Sequence, residues 1–245
     1  MKAKKPVLTY FFILICLAVF LFEIYYQFIY GEEKLLEIFY TYGFSLKNLL
    51  ERPWTSITSI FFHGGAEHFV LNMIALFFFG RIVELELGKK KFLILFFISS
   101  FFGDIAIILS IFLGIGSPLI PTIGASAAVF GLLGTAMLIK PLEFVMYPYL
   151  IPIPLILVAL LYTLYNIGAF LMVITTGEAT TISYSSHIGG MAFGMFFGFK
   201  QEGSRRGLII LLLLLILLVA TPFIWFIYEN LELFNYVNII TNIVR

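Results

Sequence analysis

Apolar runs long enough to cross a lipid bilayer dominate the chain, and they decide its fold class. Val7–Tyr30 carries one charged side chain, Glu23. A helix that spans the hydrocarbon core needs about 20 predominantly apolar residues. Six further segments approach that requirement: Phe69–Leu87, Phe92–Leu113, a short run from Ser126 to just before Lys140 and Pro141, Tyr149–Ile174, Tyr184–Phe199 and Leu208–Tyr228. The expected fold class is an all-α polytopic membrane protein with seven spans. Lys2, Lys4 and Lys5 precede the first run as in a signal peptide, but its length and the lack of a small-residue cleavage site favour a retained anchor.

Composition removes the other classes. Hydrophobic residues make up 61% of the 245 and charged residues 12%, against about a quarter charged in a soluble domain. Such a chain cannot wrap itself in polar groups, so soluble and secreted modules are excluded. The net charge of +1 offers no basic face for nucleic acid. Cys16 is the single cysteine, so neither an internal disulfide nor a thiolate metal cluster is available.

Basic residues orient the spans. With the N-terminus inside, Lys2, Lys4, Lys5, Arg81, Lys89, Lys90, Lys91, Lys140, Lys200, Arg205 and Arg206 share one side, leaving Lys34, Lys47, Arg52 and Arg245 on the other. Short-loop Lys and Arg mark the cytoplasmic face. The expected topology is a multi-pass cell-membrane protein, N-terminus cytoplasmic and C-terminus external. Two external connections are unusual. Gly31–Glu67 is long and rich in aromatics, which suits partial burial in the headgroup layer. Gly114–Gly124 reads GIGSPLIPTIG, apolar yet broken by glycine and proline. Irregular backbone at membrane depth survives only where protein or a wet cavity satisfies it.

Against this background four polar residues stand out. His68 and Asn72 lie four apart at the start of the second span, on one helix face. Ser126 opens the fourth span in GASAAVFG, and His187 opens the sixth in SSHIGG. In the proposed topology all three helices run from outside to inside, so the four groups share one side at similar depth. Polar and ionisable groups in a membrane are expensive, which makes them functional candidates. A serine hydroxyl beside an imidazole is a nucleophile with its base. A second His and an Asn supply donors for an oxyanion. No Asp or Glu lies in a comparable position near His187, so the expected arrangement is a Ser126–His187 dyad.

Small residues explain how the helices meet. Gly190, Gly194 and Gly198 form GxxxGxxxG on one face, and Ala127, Ala128, Gly131 and Gly134 answer from the fourth span. Gly124 before the serine keeps its neighbourhood open. Phe130, one turn below Ser126, is placed to pack under an imidazole. His63, in FFHGG, is a candidate donor to pin the external loop. His63, His68, His187 and Glu67 could in principle ligate a metal, but no cysteine or carboxylate cluster completes a set. Asp104 sits mid-helix with no visible partner and leaves ion conduction as an alternative.

PWTSITSIFFHGGAEHFVLNM, GASAAVFG and SSHIGGMAFG, in that order and on those helices, resemble the rhomboid family of intramembrane serine proteases over about residues 7–200. The resemblance implies a six-helix catalytic core within residues 1–200, including the external loop 31–67, with residues 201–245 supplying an additional C-terminal helix and tail. It implies Ser126 as nucleophile and His187 as general base. His68, Asn72 and the Ser126 backbone N–H would form the oxyanion hole. Phe130 would lie against the catalytic imidazole, with His63, Gly124, Gly190 and Gly194 in support. Activity would need no cofactor and no metal. Its partners would be transmembrane protein substrates, most simply single-span, and membrane lipid, cut at a site opening to the external side.

Two positions depart from the family pattern. Ala127 follows the serine where glycine is common, and Thr55 follows Trp54 where arginine is common. On Ala127 alone, a catalytically inactive rhomboid-like protein that binds membrane proteins is the alternative reading. A transporter or channel is the third.

Overall fold

The computed structural model describes residues 5–146, 152–176, 183–201 and 205–216 without 210 and 214. It is a predominantly helical membrane protein. Helix α1 covers Val7–Tyr30. Short helices α2 (Glu32–Tyr42), α3 (Leu46–Glu51) and α4 (Thr55–Thr58) follow. Helix α5 (Ala66–Ala75) passes through a π-helical stretch, Leu76–Gly80, into α6 (Arg81–Leu87). Then come α7 (Lys89–Phe112), α8 (Ser126–Ile139), α9 (Leu155–Thr176) and α10 (Tyr184–Phe199). Among the described residues α1, α7 and α9 are long and apolar enough to cross a membrane, and α8 is a shorter apolar helix. Most of the expected seventh span, Leu208–Tyr228, lies outside the described residues. The parts of 205–216 that are described are helical.

Helix α8 is the axis of the fold. It is apolar on every side, and every residue from Ala127 to Leu138 is buried. A helix without a polar face has to sit inside other helices. Helices α7 and α10 pack closely on it, and glycine is the reason. A methyl added to Gly190 would collide with the backbone carbonyl of Ala127, and one on Gly194 with that of Gly131. One on Gly198 would stand 3.0 Å from the Cα of Thr135. The glycines of α10 and residues 127, 131 and 135 of α8 thus form two ladders in the same four-residue step, backbone against backbone. Thr135 Oγ1 donates to Gly194 O across the seam at 2.7 Å. Such close contact replaces the hydrophobic drive that helices lack in lipid.

The α1 N-terminus is fixed by a buried carboxylate. Glu84 of α6 accepts the backbone N–H groups of Leu8 and Thr9 at 2.9 and 2.8 Å and the Thr9 hydroxyl at 2.8 Å. Those N–H groups have no partner within their own helix, and negative charge is favoured at a helix start.

The external connections depart from a simple loop. Residues 32–61 fold into α2, α3, α4 and a 3-10 turn at Ser59–Phe61. They also satisfy the backbone of the glycine- and proline-rich segment. Phe44 and Thr122 exchange backbone hydrogen bonds, Lys47 N–H donates to Pro118 O, and Gly124 N–H donates to Ser59 O at 2.9 Å. The fifth span starts later than its apolar composition suggests. Proline at 152 and 154 has no N–H to give a helix. Ile153–Pro154 instead pairs antiparallel with Phe144–Val145, and α9 begins at Leu155.

Candidate active site

Three helix starts meet at one end of the bundle. A methyl on Gly124 would stand 2.7 Å from His68 Cε1 and Nε2 and 3.8 Å from Ser126 Oγ, so one point touches the starts of both α5 and α8. A methyl on Gly103 of α7 would stand 2.7 Å from Ala127 Cβ and 3.0 Å from Ser186 O, the neighbours of Ser126 and His187. The structure therefore gathers Ser126, His68 and His187 in one region. Gly124 has φ +121°, a conformation L side chains avoid, so its lack of a Cβ serves both backbone and space.

Each side chain has a defined setting. Ser126 is the first residue of α8 and half-buried. As a helix start it leaves neighbouring N–H groups without intrahelical acceptors. His68 Nδ1 accepts the Gly64 N–H at 3.3 Å, which leaves its ring proton on Nε2, the edge facing Gly124. Asn72 is buried one turn along, its Nδ2 donating to His68 O at 2.8 Å.

His187 is clamped on several sides. Phe130 stacks on it with ring centroids 4.4 Å apart and planes 11° from parallel. Tyr184 meets it edge-on at 6.4 Å. Its Nδ1 lies 2.7 Å from Asn166 Oδ1 of α9. Among the described residues no hydrogen bond joins the Ser126 hydroxyl to His187. Beside the imidazole, between α9 and α10, lies a cavity of about 170 Å³ bounded by Phe130, Thr163, Ile167, Met191 and Met195.

Asn166 escaped the sequence reading, which looked for a carboxylate near His187. The available signal was an amide within an otherwise apolar span, costly unless it is bonded.

His63 lies behind His68, on the side of the external loop, and is 1% exposed. Its backbone N–H donates to Glu23 Oε1 at 2.9 Å, and its Nδ1 donates to Phe61 O at 3.2 Å. Its ring lies 5.2 Å from that of His68 and edge-on to Phe69 at 5.4 Å. Burial first, then the neighbouring His68, lowers its pKa from 6.5 to about 3, so the imidazole is neutral. Asp104 is buried in α7 and faces Ser56 of α4, although Asp104 Oδ2 and Ser56 Oγ fall short of good hydrogen-bond geometry. No group of three or more His, Cys, Asp or Glu able to hold a metal occurs among the described residues.

The Rhomboid domain family profile matches residues 50–202, more than half of the chain. The chain belongs to the rhomboid family. It is 30% identical over 195 residues to Rhomboid protease GluP of Bacillus subtilis (strain 168), covering 78% of this chain and 34% of that protein. It is 30% identical over 159 residues to RHOMBOID-like protein 4 of Arabidopsis thaliana, covering 64% and 36%. Inactive RHOMBOID-like protein 8 of Arabidopsis thaliana is also similar, 31% identical over 97 residues, covering 39% of this chain and 26% of that protein. The chain spans about a third of the length of the first two relatives.

Proposed function

We propose that this rhomboid-family chain is an intramembrane serine endopeptidase acting on transmembrane protein substrates, single-span ones foremost. The observation that carries the reading is the meeting of the α5, α8 and α10 starts, which puts a hydroxyl, a donor imidazole and a ring-stacked imidazole in one region. Ser126 is the nucleophile and His187 the base. The His187 Nε2 takes the Ser126 proton as Oγ attacks a substrate carbonyl. The oxyanion is met by the Nε2–H of His68, the Asn72 amide and the Ser126 backbone N–H. The imidazolium then protonates the leaving amine, and water releases the acyl-enzyme by the same route in reverse. Substrate segments rich in small or helix-weakening residues present their carbonyls most cheaply.

The reading includes a six-helix rhomboid core within residues 1–200 and a seventh helix over 208–228. It places the N-terminus in the cytoplasm and opens the site to the external side. Two observations favour a non-catalytic alternative: Ala127 follows the serine, and an inactive relative lies among the similar proteins.

The test is cleavage of a single-span reporter with a small-residue outer segment, by purified wild type, Ser126→Ala and His187→Ala in liposomes. The protease reading expects product from wild type and from neither variant. Cleavage that survives Ser126→Ala would sink the mechanism.

A further inference from the structure

Asn166 is the one buried residue in the half of α9 beyond Ala159; the residues around it face outward or are half-buried. An amide held in that position is stable only when its donor and acceptor are both bonded, and both are. Nδ2 donates to Tyr162 O of the preceding turn at 2.8 Å, and Oδ1 lies 2.7 Å from His187 Nδ1. The first contact fixes the second. A carbonyl oxygen only accepts, so the amide edge facing Tyr162 has to be the NH₂ group. The edge facing His187 is then the oxygen, which also only accepts. His187 Nδ1 therefore carries the ring proton, and Nε2 carries the lone pair.

We propose that Asn166 is a positioning residue that holds His187 in its Nδ1–H tautomer, so that the proposed Ser126–His187 dyad has an orienting residue on α9. A neutral imidazole free to exchange tautomers presents a protonated Nε2 part of the time, and that form cannot accept a serine proton. Phe130 and Tyr184 restrict the plane of the ring. Stacking does not distinguish the two nitrogens; the amide oxygen does. A consequence is that any displacement of the outer half of α9 away from α10 releases the tautomer lock. The effect on rate rests on the serine-protease reading above, whereas the tautomer does not.

Two measurements separate the two. The first is imidazole ¹⁵N NMR of ¹⁵N-histidine-labelled protein in detergent, feasible with three histidines in the chain. His187 should show a protonated Nδ1 and a bare Nε2 in wild type. In Asn166→Leu, which keeps the bulk and removes the acceptor, the two forms should mix. Asn166→Gln, which keeps both the amide donor and the acceptor oxygen, should retain the Nδ1–H signal. The second is cleavage of the single-span reporter. Asn166→Leu should lower kcat on the order of 10- to 100-fold, the range that loss of a partner orienting an imidazole commonly costs. KM should stay nearly unchanged, and Asn166→Gln should recover more of the rate than Asn166→Leu. A wild-type His187 protonated on Nε2, or an Asn166→Leu protein with unchanged tautomer and rate, overturns the proposal. Should wild type cleave nothing, the NMR result still decides the tautomer, and only the protease reading fails.

Discussion

The α8–α10 seam and the outer half of α9 are both faces of His187, and they are built on opposite principles. Along the seam, backbone meets backbone, and every residue of α8 from 127 to 138 is buried. Helix α9 buries Leu155, Ile156, Val158 and Ala159 near its start and then only Asn166. The seam gives the site a frame with no slack. The outer part of α9 meets the site through the Asn166–His187 contact and the ring contacts of Tyr162 with Phe130 and Tyr165 with Tyr184, so its position and the state of His187 are coupled. A rigid frame that holds the Ser126-bearing helix can thus coexist with a sparsely buried wall.

That contrast can be broken first at the glycines. Gly190→Val and Gly194→Val place side chains into the carbonyls of Ala127 and Gly131. Overpacking of this kind should cost roughly 3 kcal/mol or more, seen as loss of a monodisperse peak in detergent chromatography. Thr135→Val removes the one side-chain hydrogen bond described across the seam. Its cost should be about 1 kcal/mol, read as a lowered Tm with the fold retained.

Acid probes the external loop instead. His63 has its pKa lowered in the folded protein from 6.5 to about 3. Between those values the unfolded chain binds a proton that the folded chain does not, so this contribution to stability is complete above 6.5 and declines as pH falls toward about 3. His63→Gln should flatten that part of the Tm–pH curve relative to wild type. The smallest effect belongs to Leu161→Ala on the outward face of α9, where the side chain is 61% exposed. Its stability should change by no more than about 0.5 kcal/mol. A large loss there would show that α9 is packed as tightly as the seam.

Much of this contrast is legible in the residues. The GxxxGxxxG run of α10 and the small residues of α8 announce a close pair, because small residues at a four-residue step let backbones approach. The bounds of α1 and α10 coincide with the apolar runs at Val7–Tyr30 and Tyr184–Phe199. Local pattern fails where the cause is tertiary. The connection 31–67 reads as a long aromatic segment suited to the headgroup layer, and its helices do not show in that reading, because Phe44, Lys47 and Ser59 within it are set by bonds to the backbone of 118–124. The start of α9 is set by Pro152 and Pro154 rather than by hydropathy. Asn166 shows only as an amide in an apolar span, and its role stays hidden because its partner lies on another helix and no spacing rule links α9 to α10.

The most direct test of the central claim is covalent labelling by a serine-directed fluorophosphonate, with the adduct mapped by mass spectrometry. Folded wild type should carry one adduct on the peptide containing Ser126, and Ser126→Ala and His187→Ala should carry none. Folded wild-type protein that takes no adduct, or takes it on another residue, would contradict a Ser126 nucleophile activated by His187.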